Sequence, residues 1–379
     1  MSAQRIKFAM FALLAMGLSV GALELIAGLV VGDCYIHLAG IMPQTASRSY
    51  GYFVPNQRRT LLFMGLPPYR VTIDALGLRL TKPIAPEKAP GAQRILCVGD
   101  STTFGLYIND DASYPFQLQQ RLDARMPGQY EVLNAGVGGL SIDDERDYLQ
   151  RAGLRLNPDL VILMFCANDL RELREQLKPF YERIQEDFDD RGAERMVRAL
   201  KDTRLYRLFF MGEVAFKHWR YVHKKIRDPE VRRIYVSRSR ALEDVRLIGQ
   251  YNAEQLVREP QHPQVRADWA AYLQELERVR QLLDGRGIRL LLAISPEVPE
   301  VFGDEPTRYA APFIAYAKQH DLSVIDVNAL MRSVPLEGRL ALFHAPPRDF
   351  HLSGQGNARV ADAIASWLET QVKPPVASR

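Results

Sequence analysis

The chain of 379 residues holds only three cysteines, Cys34, Cys97 and Cys166. An odd count at these spacings excludes a disulfide framework and matches no zinc or haem signature. Cys97 and Cys166 are expected to remain free thiols, because a bridge across neighbouring parallel strands is strained. Charge of one sign is also lacking: 49 Lys plus Arg face 45 Asp plus Glu. The net charge of +4 therefore says little about partners by itself. Long hydrophobic runs are absent except for one, which excludes a polytopic membrane protein. Glycine and proline are ordinary in number, and a 47% hydrophobic fraction excludes a disordered chain or a collagen. No full G-x-G-x-x-G stands in the sequence, and no His/Asp/Glu set has metal-ligand spacing, so neither cofactor nor metal is implied.

The single apolar run covers residues 8–31 and carries one charge, Glu24. At about 1.5 Å per residue it is roughly 36 Å long, enough to cross a hydrocarbon core of about 30 Å. Arg5 and Lys7 precede it, and no Lys or Arg follows until Arg48. The positive-inside rule then predicts a cytoplasmic N-terminus, a single pass through the inner membrane over residues 1–32, and an extracytoplasmic (periplasmic) remainder. A signal peptide cleaved after Ala22 and a buried core helix are the competing readings.

Residues 33–93 hold Pro43, Pro55, Pro67, Pro68, Pro83, Pro86 and Pro90, and read as an irregular linker and flap without a core of its own. From residue 94 to 379 an α/β rhythm sets in. Strands are expected at 94–98, 131–134, 160–165, 287–294 and 322–327, with helices between them and a closing helix over 358–370. This predicts a doubly wound, flavodoxin-like parallel five-stranded sheet with helices on both faces. Ligands in such sheets bind at the carboxyl ends of the strands.

Residues 171–266 break the rhythm and read as a long helical insertion after the third strand. Within it, residues 195–240 hold 14 Lys or Arg against 4 Asp or Glu, together with aromatics such as Phe209, Phe216, Trp219 and Tyr235. Such a mixture suits an anionic lipid or glycan surface, or a solvated helical cap. Nucleic acid is not expected as a partner, since it conflicts with export.

The loops at the strand ends carry the chemistry. Gly99-Asp100-Ser101 follows the first strand and places a hydroxyl at a strand-to-helix turn. Asn134-Ala135-Gly136-Val137-Gly138-Gly139 ends the second, Cys166-Ala167-Asn168-Asp169 the third, and Asp349-Phe350-His351-Leu352-Ser353-Gly354 precedes the last helix. A hydroxyl, an imidazole, a carboxylate and several hydrogen-bond donors are what acyl transfer through a serine ester requires.

At these four blocks, in this order, the chain resembles the SGNH (GDSL-like) hydrolase superfamily of the membrane-anchored bacterial type. The resemblance runs over about residues 94–368, and Asp74-Ala75-Leu76-Gly77-Leu78-Arg79 is similar to a segment that often precedes the domain. It implies Ser101 as nucleophile, His351 as general base and Asp349 as the carboxylate that orients it. The oxyanion donors it implies are the N–H groups of Ser101 and Gly139 and the side-chain amide of Asn168. Two positions depart from the pattern. Cys166 stands where the family has glycine, and Asp349 lies two residues from His351, with Arg348 at the usual spacing. Either the loop adjusts so that Asp349 reaches the ring, or a backbone carbonyl substitutes. His344 competes as the base.

The expected activity is a serine esterase acting on O-acyl esters of a glycan or lipid, with acetyl as the expected group. The alternatives are an acyltransferase that passes the acyl group to a sugar hydroxyl, and a catalytically silent, membrane-tethered binding domain.

Overall fold

The computed structural model describes residues 3–32, 34–36, 50–63, 66–175, 199–345 and 349–371. Helix α1 (Ala3–Val31) is the apolar run. Its side chains stand outside the core along most of its length, with Phe8 75% and Leu29 88% exposed, so it is not a core helix. Residues 4–31 are long and apolar enough to cross a membrane.

The proline-rich segment is not wholly irregular. It contains β1 (Cys34–Ile36), β2 (Gln57–Leu62) and β3 (Tyr69–Ile73), paired in that order as a small sheet. The prolines flank these strands: Pro55 precedes β2, and Pro67 and Pro68 precede β3, so no ladder donor is lost. Tyr69, Val71 and Ile73 alternate with Arg70 and Thr72 and are buried. They pack on Phe104, Leu106 and Tyr107 of the main domain, so this small core is shared.

The main sheet consists of β4 (Gln93–Gly99), β5 (Tyr130–Asn134), β6 (Leu160–Phe165), β7 (Arg289–Ile294) and β8 (Val324–Asp326). All pairs are parallel, in the order β5-β4-β6-β7-β8. This is the doubly wound arrangement expected, with the chain reversing direction across the sheet between β4 and β6. Every residue of β6 is buried, which is why it reads as a continuous apolar run. Val161, Leu163 and Phe165 face one side of the sheet, against Leu149, Trp269, Tyr272 and Phe313. These four come from α4 (Ile142–Arg151) and two later helices. Ile162 and Met164 face the other side, against Leu118 of α3 (Tyr114–Arg125) and Val360 and Ile364 of the closing helix.

Two short helices begin at the carboxyl ends of the switch-point strands, α2 (Ser101–Phe104) after β4 and α5 (Asp169–Glu175) after β6. The described part of the insertion contains α6 (Arg204–Arg220), α7 (Pro229–Ser237) and α8 (Leu242–Asn252). Val222, Ile226, Val231, Ile234 and Ile248 give it a small core. Phe209, Phe216 and Trp219 of the same stretch remain exposed. Helix α9 (Pro263–Asp284) returns the chain to the sheet, and α10 (Ala311–Gln319) and α11 (Gly354–Gln371) follow. A two-stranded ribbon, β9 (Phe343–Ala345) and β10 (Asp349–Leu352), precedes α11. Arg348 and residues 195–198 of the basic stretch lie outside the described residues.

Candidate active site

The site lies where the sheet reverses. Gly99 closes β4 so tightly that a Cβ there would meet the Thr103 Oγ1 at 2.4 Å and the Met164 carbonyl oxygen at 3.2 Å. Only glycine allows this approach, and it sets Ser101 at the first position of α2. The loop beyond is fixed by Arg79, a fully buried guanidinium. It donates to the carbonyls of Phe104 and Ile108, each at 2.6 Å, and to that of Gly105, and it pairs with Asp110 at 3.3 Å. The turn that delivers Arg79 is itself tied by the Asp74 carboxylate, which accepts the N–H groups of Leu76 at 2.8 Å and Leu78 at 3.0 Å.

Ser101, His351 and Asp349 are brought into one hydrogen-bonded line. The imidazole Nε2 lies 2.9 Å from the Ser101 Oγ. Its Nδ1 lies 3.0 Å from one Asp349 oxygen and 3.2 Å from the other. The short spacing is absorbed within β10, where Asp349 Oδ1 also accepts the His351 N–H at 2.9 Å. The Tyr107 ring meets the imidazole edge-on, with centroids 5.3 Å apart. Burial works to depress the imidazole pKa, but the Asp349 carboxylate overrides it and the net direction is upward. Burial likewise works to raise the Asp349 carboxyl, and the His351 ring more than reverses it. His344 lies over Tyr107 instead, with ring centroids 6.5 Å apart, and burial lowers its pKa.

The Asn168 amide and the Gly139 N–H converge on the carboxylate of Asp100. Asn168 Nδ2 donates to Asp100 Oδ2 at 2.7 Å, and the Gly139 N–H donates to Oδ1. Burial pushes the Asp100 carboxyl up, against hydrogen bonds from Asn168, Gly139 and the Ser101 N–H. All three donors expected at an oxyanion therefore touch this one carboxylate. Sequence reading passed over Asp100 because its direction is a tertiary fact, although its place beside Ser101 was a signal. The turn that carries Asn168 is held by Asp169, whose Oδ2 accepts the Cys166 N–H at 2.9 Å. Burial, together with the nearby carboxylate of Glu145, holds the Asp169 carboxyl well above its ordinary value.

The pocket beside Ser101 is lined by Thr102, Cys166, Asn168, Ser295, Glu297 and Asn252, among others. Thr102 Oγ1 lies 3.0 Å from Ser295 Oγ and 3.8 Å from the Cys166 sulfur. Burial pushes Glu297 up to about 8, so it is largely protonated at neutral pH. Asn252 belongs to α8, so the insertion supplies part of the pocket wall. Neither Glu297 nor Asn252 sits in a local motif, and sequence reading missed both. The three thiols are free, as expected. Asp100, Cys166 and Asp169 could place one ligand atom each within 4.8 Å of one another. Most of their atoms are committed elsewhere: both Asp100 oxygens and Asp169 Oδ2 accept N–H groups, burial keeps the Cys166 thiol protonated, and only Asp169 Oδ1 is left without a partner. The trio therefore does not fit a resident metal.

Comparison with known proteins shows the family to which the chain belongs. Similar solved structures include an acetyl xylan esterase, AlAXEase, with 18% identity and a TM-score of 0.41, covering 74% of this chain and 100% of that one. A lipase/acylhydrolase from Enterococcus faecalis has 14% identity and a TM-score of 0.40, covering 75% and 100%. TesA has 15% identity and a TM-score of 0.42, covering 74% and 100%. No curated protein matches the sequence significantly. The GDSL-like lipase/acylhydrolase family model matches residues 97–359, which include Ser101, Gly139, Asn168, Asp349 and His351, and the chain belongs to that family of ester hydrolases.

Proposed function

We propose that the chain is a membrane-anchored, extracytoplasmic serine esterase that removes O-acyl groups, acetyl foremost, from a glycan or lipid. The observation that carries this reading is the line from Ser101 Oγ through His351 to Asp349, at 2.9 Å and 3.0 Å. His351 Nε2 takes the Ser101 proton as Oγ attacks the ester carbonyl, and returns it to the leaving alkoxide. Asp349 holds the ring in the tautomer with the proton on Nδ1 and stabilises the imidazolium. Water activated by His351 then releases the acid from the acyl-serine. The developing oxyanion would be met by the second proton of the Asn168 amide, with the Ser101 and Gly139 N–H groups joining as they leave the Asp100 carboxylate. The pocket's polar lining of Thr102, Ser295 and Glu297 suits a small acyl group and a hydroxyl-bearing alcohol better than a long chain at the reacting carbonyl. Helix α1 and the Arg5/Lys7 flank support an inner-membrane anchor with the domain outside. The exposed cations of the insertion, Lys224 and Lys225 among them, support contact with an anionic surface.

The test is turnover of 4-nitrophenyl acetate by the full chain, with and without a sugar acceptor. Hydrolysis that is lost in Ser101→Ala, with labelling of Ser101 by a phosphonate, is the expected result. Transfer to the sugar in place of hydrolysis would make it an acyltransferase, and inertness towards both would leave a binding domain.

A further inference from the structure

The insertion contains a second concavity, separate from the catalytic pocket. Val214, Ala215 and Trp219 of α6, Val236 of α7 and Phe63 line it. The lining is mostly apolar. Arg238 lines the concavity as an exposed cation, and Lys224 and Lys225, which follow the lining residue His223 in sequence, are exposed as well. Phe216 and Trp219, stacked with centroids 6.0 Å apart, present an exposed aromatic face on the same helix. An apolar slot rimmed by cations and aromatics is the pattern that takes a hydrocarbon chain beneath an anionic headgroup.

The location of the slot follows from Glu24. This carboxylate, the one charge in the apolar run, accepts the backbone N–H groups of Arg204 and Leu205 at 2.5 Å and 2.9 Å. A charge inside a membrane span needs a partner, and the N-terminus of a helix supplies N–H groups of the right polarity. Ala27 and Val31, one and two turns further along the same face, are buried. Gly28 leaves room where a Cβ would meet the Arg204 side chain at 2.8 Å. Helix α6 therefore starts beside the outer end of α1, about 10 Å short of the end of the apolar run by helical rise. The slot on α6 is thereby held next to the outer leaflet.

We propose that this groove is a binding site for one hydrocarbon chain of an anionic bilayer lipid, held as a resident ligand that seats the insertion on the membrane. The inference rests on the reading of α1 as a membrane anchor. It goes beyond a diffuse attraction of surface cations, because it names the slot and the part of the lipid that fills it. The occupied slot would fix α6 and α7. Through α8, which continues from α7 and carries Asn252, it would also fix one wall of the catalytic pocket.

The full chain is placed in phosphatidylcholine nanodiscs containing a dialkyl-ether phosphatidylglycerol with a diazirine in one chain. The ether links keep the lipid from being consumed as an ester. After irradiation, labelled peptides are mapped by mass spectrometry. Label is expected on α1 and also within 212–238 and at Phe63, more strongly than from a diazirine phosphatidylcholine. Ala215→Trp and Val236→Trp fill the groove from α6 and α7, and both should lose the groove label while keeping that on α1. Label on α1 alone in the unaltered chain would overturn the groove and leave the anchor standing. Groove label that survives both substitutions would overturn it too. Absence of label from α1 and groove alike would remove the anchor reading, and the inference with it.

Discussion

The carboxylate of Asp100, the residue before Ser101, accepts the side-chain amide of Asn168 at 2.7 Å. An amide has two N–H protons, so this bond spends one and fixes the plane in which the other lies. Asp100→Asn keeps the volume but removes an acceptor and puts a second NH2 against donors. The Asn168 amide then loses its orientation. Activity on 4-nitrophenyl acetate is expected to fall by about 10²–10³ in kcat with little change in KM, the cost of losing one oxyanion donor. Stability should not fall in parallel, since a buried carboxyl is replaced by a neutral group. Unchanged kcat in a folded Asp100→Asn protein would show that Asn168 is positioned without it.

The pH profile reports the Asp349–His351 contact. Only the neutral imidazole accepts the Ser101 proton, and Asp349 raises the His351 pKa above its ordinary value of 6.5. The acid limb of kcat/KM is therefore expected above pH 6.5. Asp349→Asn removes the carboxylate and leaves burial, which depresses the imidazole, so the limb should move to lower pH. Rate should fall at the same time by up to about 10⁴, because the wrong tautomer is favoured. A limb that stays in place in Asp349→Asn would show that the carboxylate does not set the base.

Glu297 offers a test through stability. Its pKa is raised from 4.5 to about 8 in the folded protein. The unfolded chain releases this proton as pH passes 4.5, while the folded chain holds it until about 8. Folding is thus penalised progressively across that interval, and the penalty is full above it. Glu297→Gln should be more stable than the unaltered chain at pH 8, by on the order of a few kcal/mol, and equal to it near pH 4. Urea denaturation in detergent at the two pH values measures both. A gain that is the same at both would place its origin in packing.

Arg79 is buried completely, with its guanidinium spent on three backbone carbonyls and Asp110. Arg79→Met would strand those acceptors and the Asp110 carboxylate. A loss of about 3–5 kcal/mol is expected, the usual cost of removing one partner of a buried pair. Arg79→Lys should recover little, because an ammonium cannot span acceptors arranged for a planar fork. Denaturation midpoints at constant m-value would measure both.

Much of this architecture is legible in the chain. The strands β4, β5 and β6 are short apolar runs because both faces of a parallel sheet are buried, and their loops carry Ser101, Gly139 and Asn168 as the motifs suggest. The small sheet β1-β2-β3 was obscured because prolines flank its strands and dominate the local composition. Asp100, Glu297 and Asn252 were missed for another reason. Their surroundings are set by distant chain segments, and a lone acid or amide carries no period or spacing. Glu24 was visible as the odd charge in an apolar helix, but its partner, the start of α6, lies 180 residues away in sequence.

Cys166 stands in the pocket beside Ser101. Its sulfur lies 3.8 Å from Thr102 Oγ1, and both side chains line the cavity next to Ser101. Where the wider family has glycine, this side chain occupies space that an acyl chain could use. Cys166→Gly leaves the backbone N–H that Asp169 accepts at 2.9 Å, so the turn holding Asn168 is kept. What changes is volume. Each methylene of fit in an apolar pocket is worth about 1–3 kcal/mol, or roughly 10–200-fold in kcat/KM. The floor here is partly polar, so the low end applies. Cys166→Gly is expected to raise the ratio of 4-nitrophenyl butyrate to acetate turnover by about tenfold. Cys166→Ser, close in size, should leave that ratio near its starting value. If glycine and serine shift the ratio alike, the effect comes from the loss of the thiol and not from space, and the acyl group lies elsewhere in the pocket.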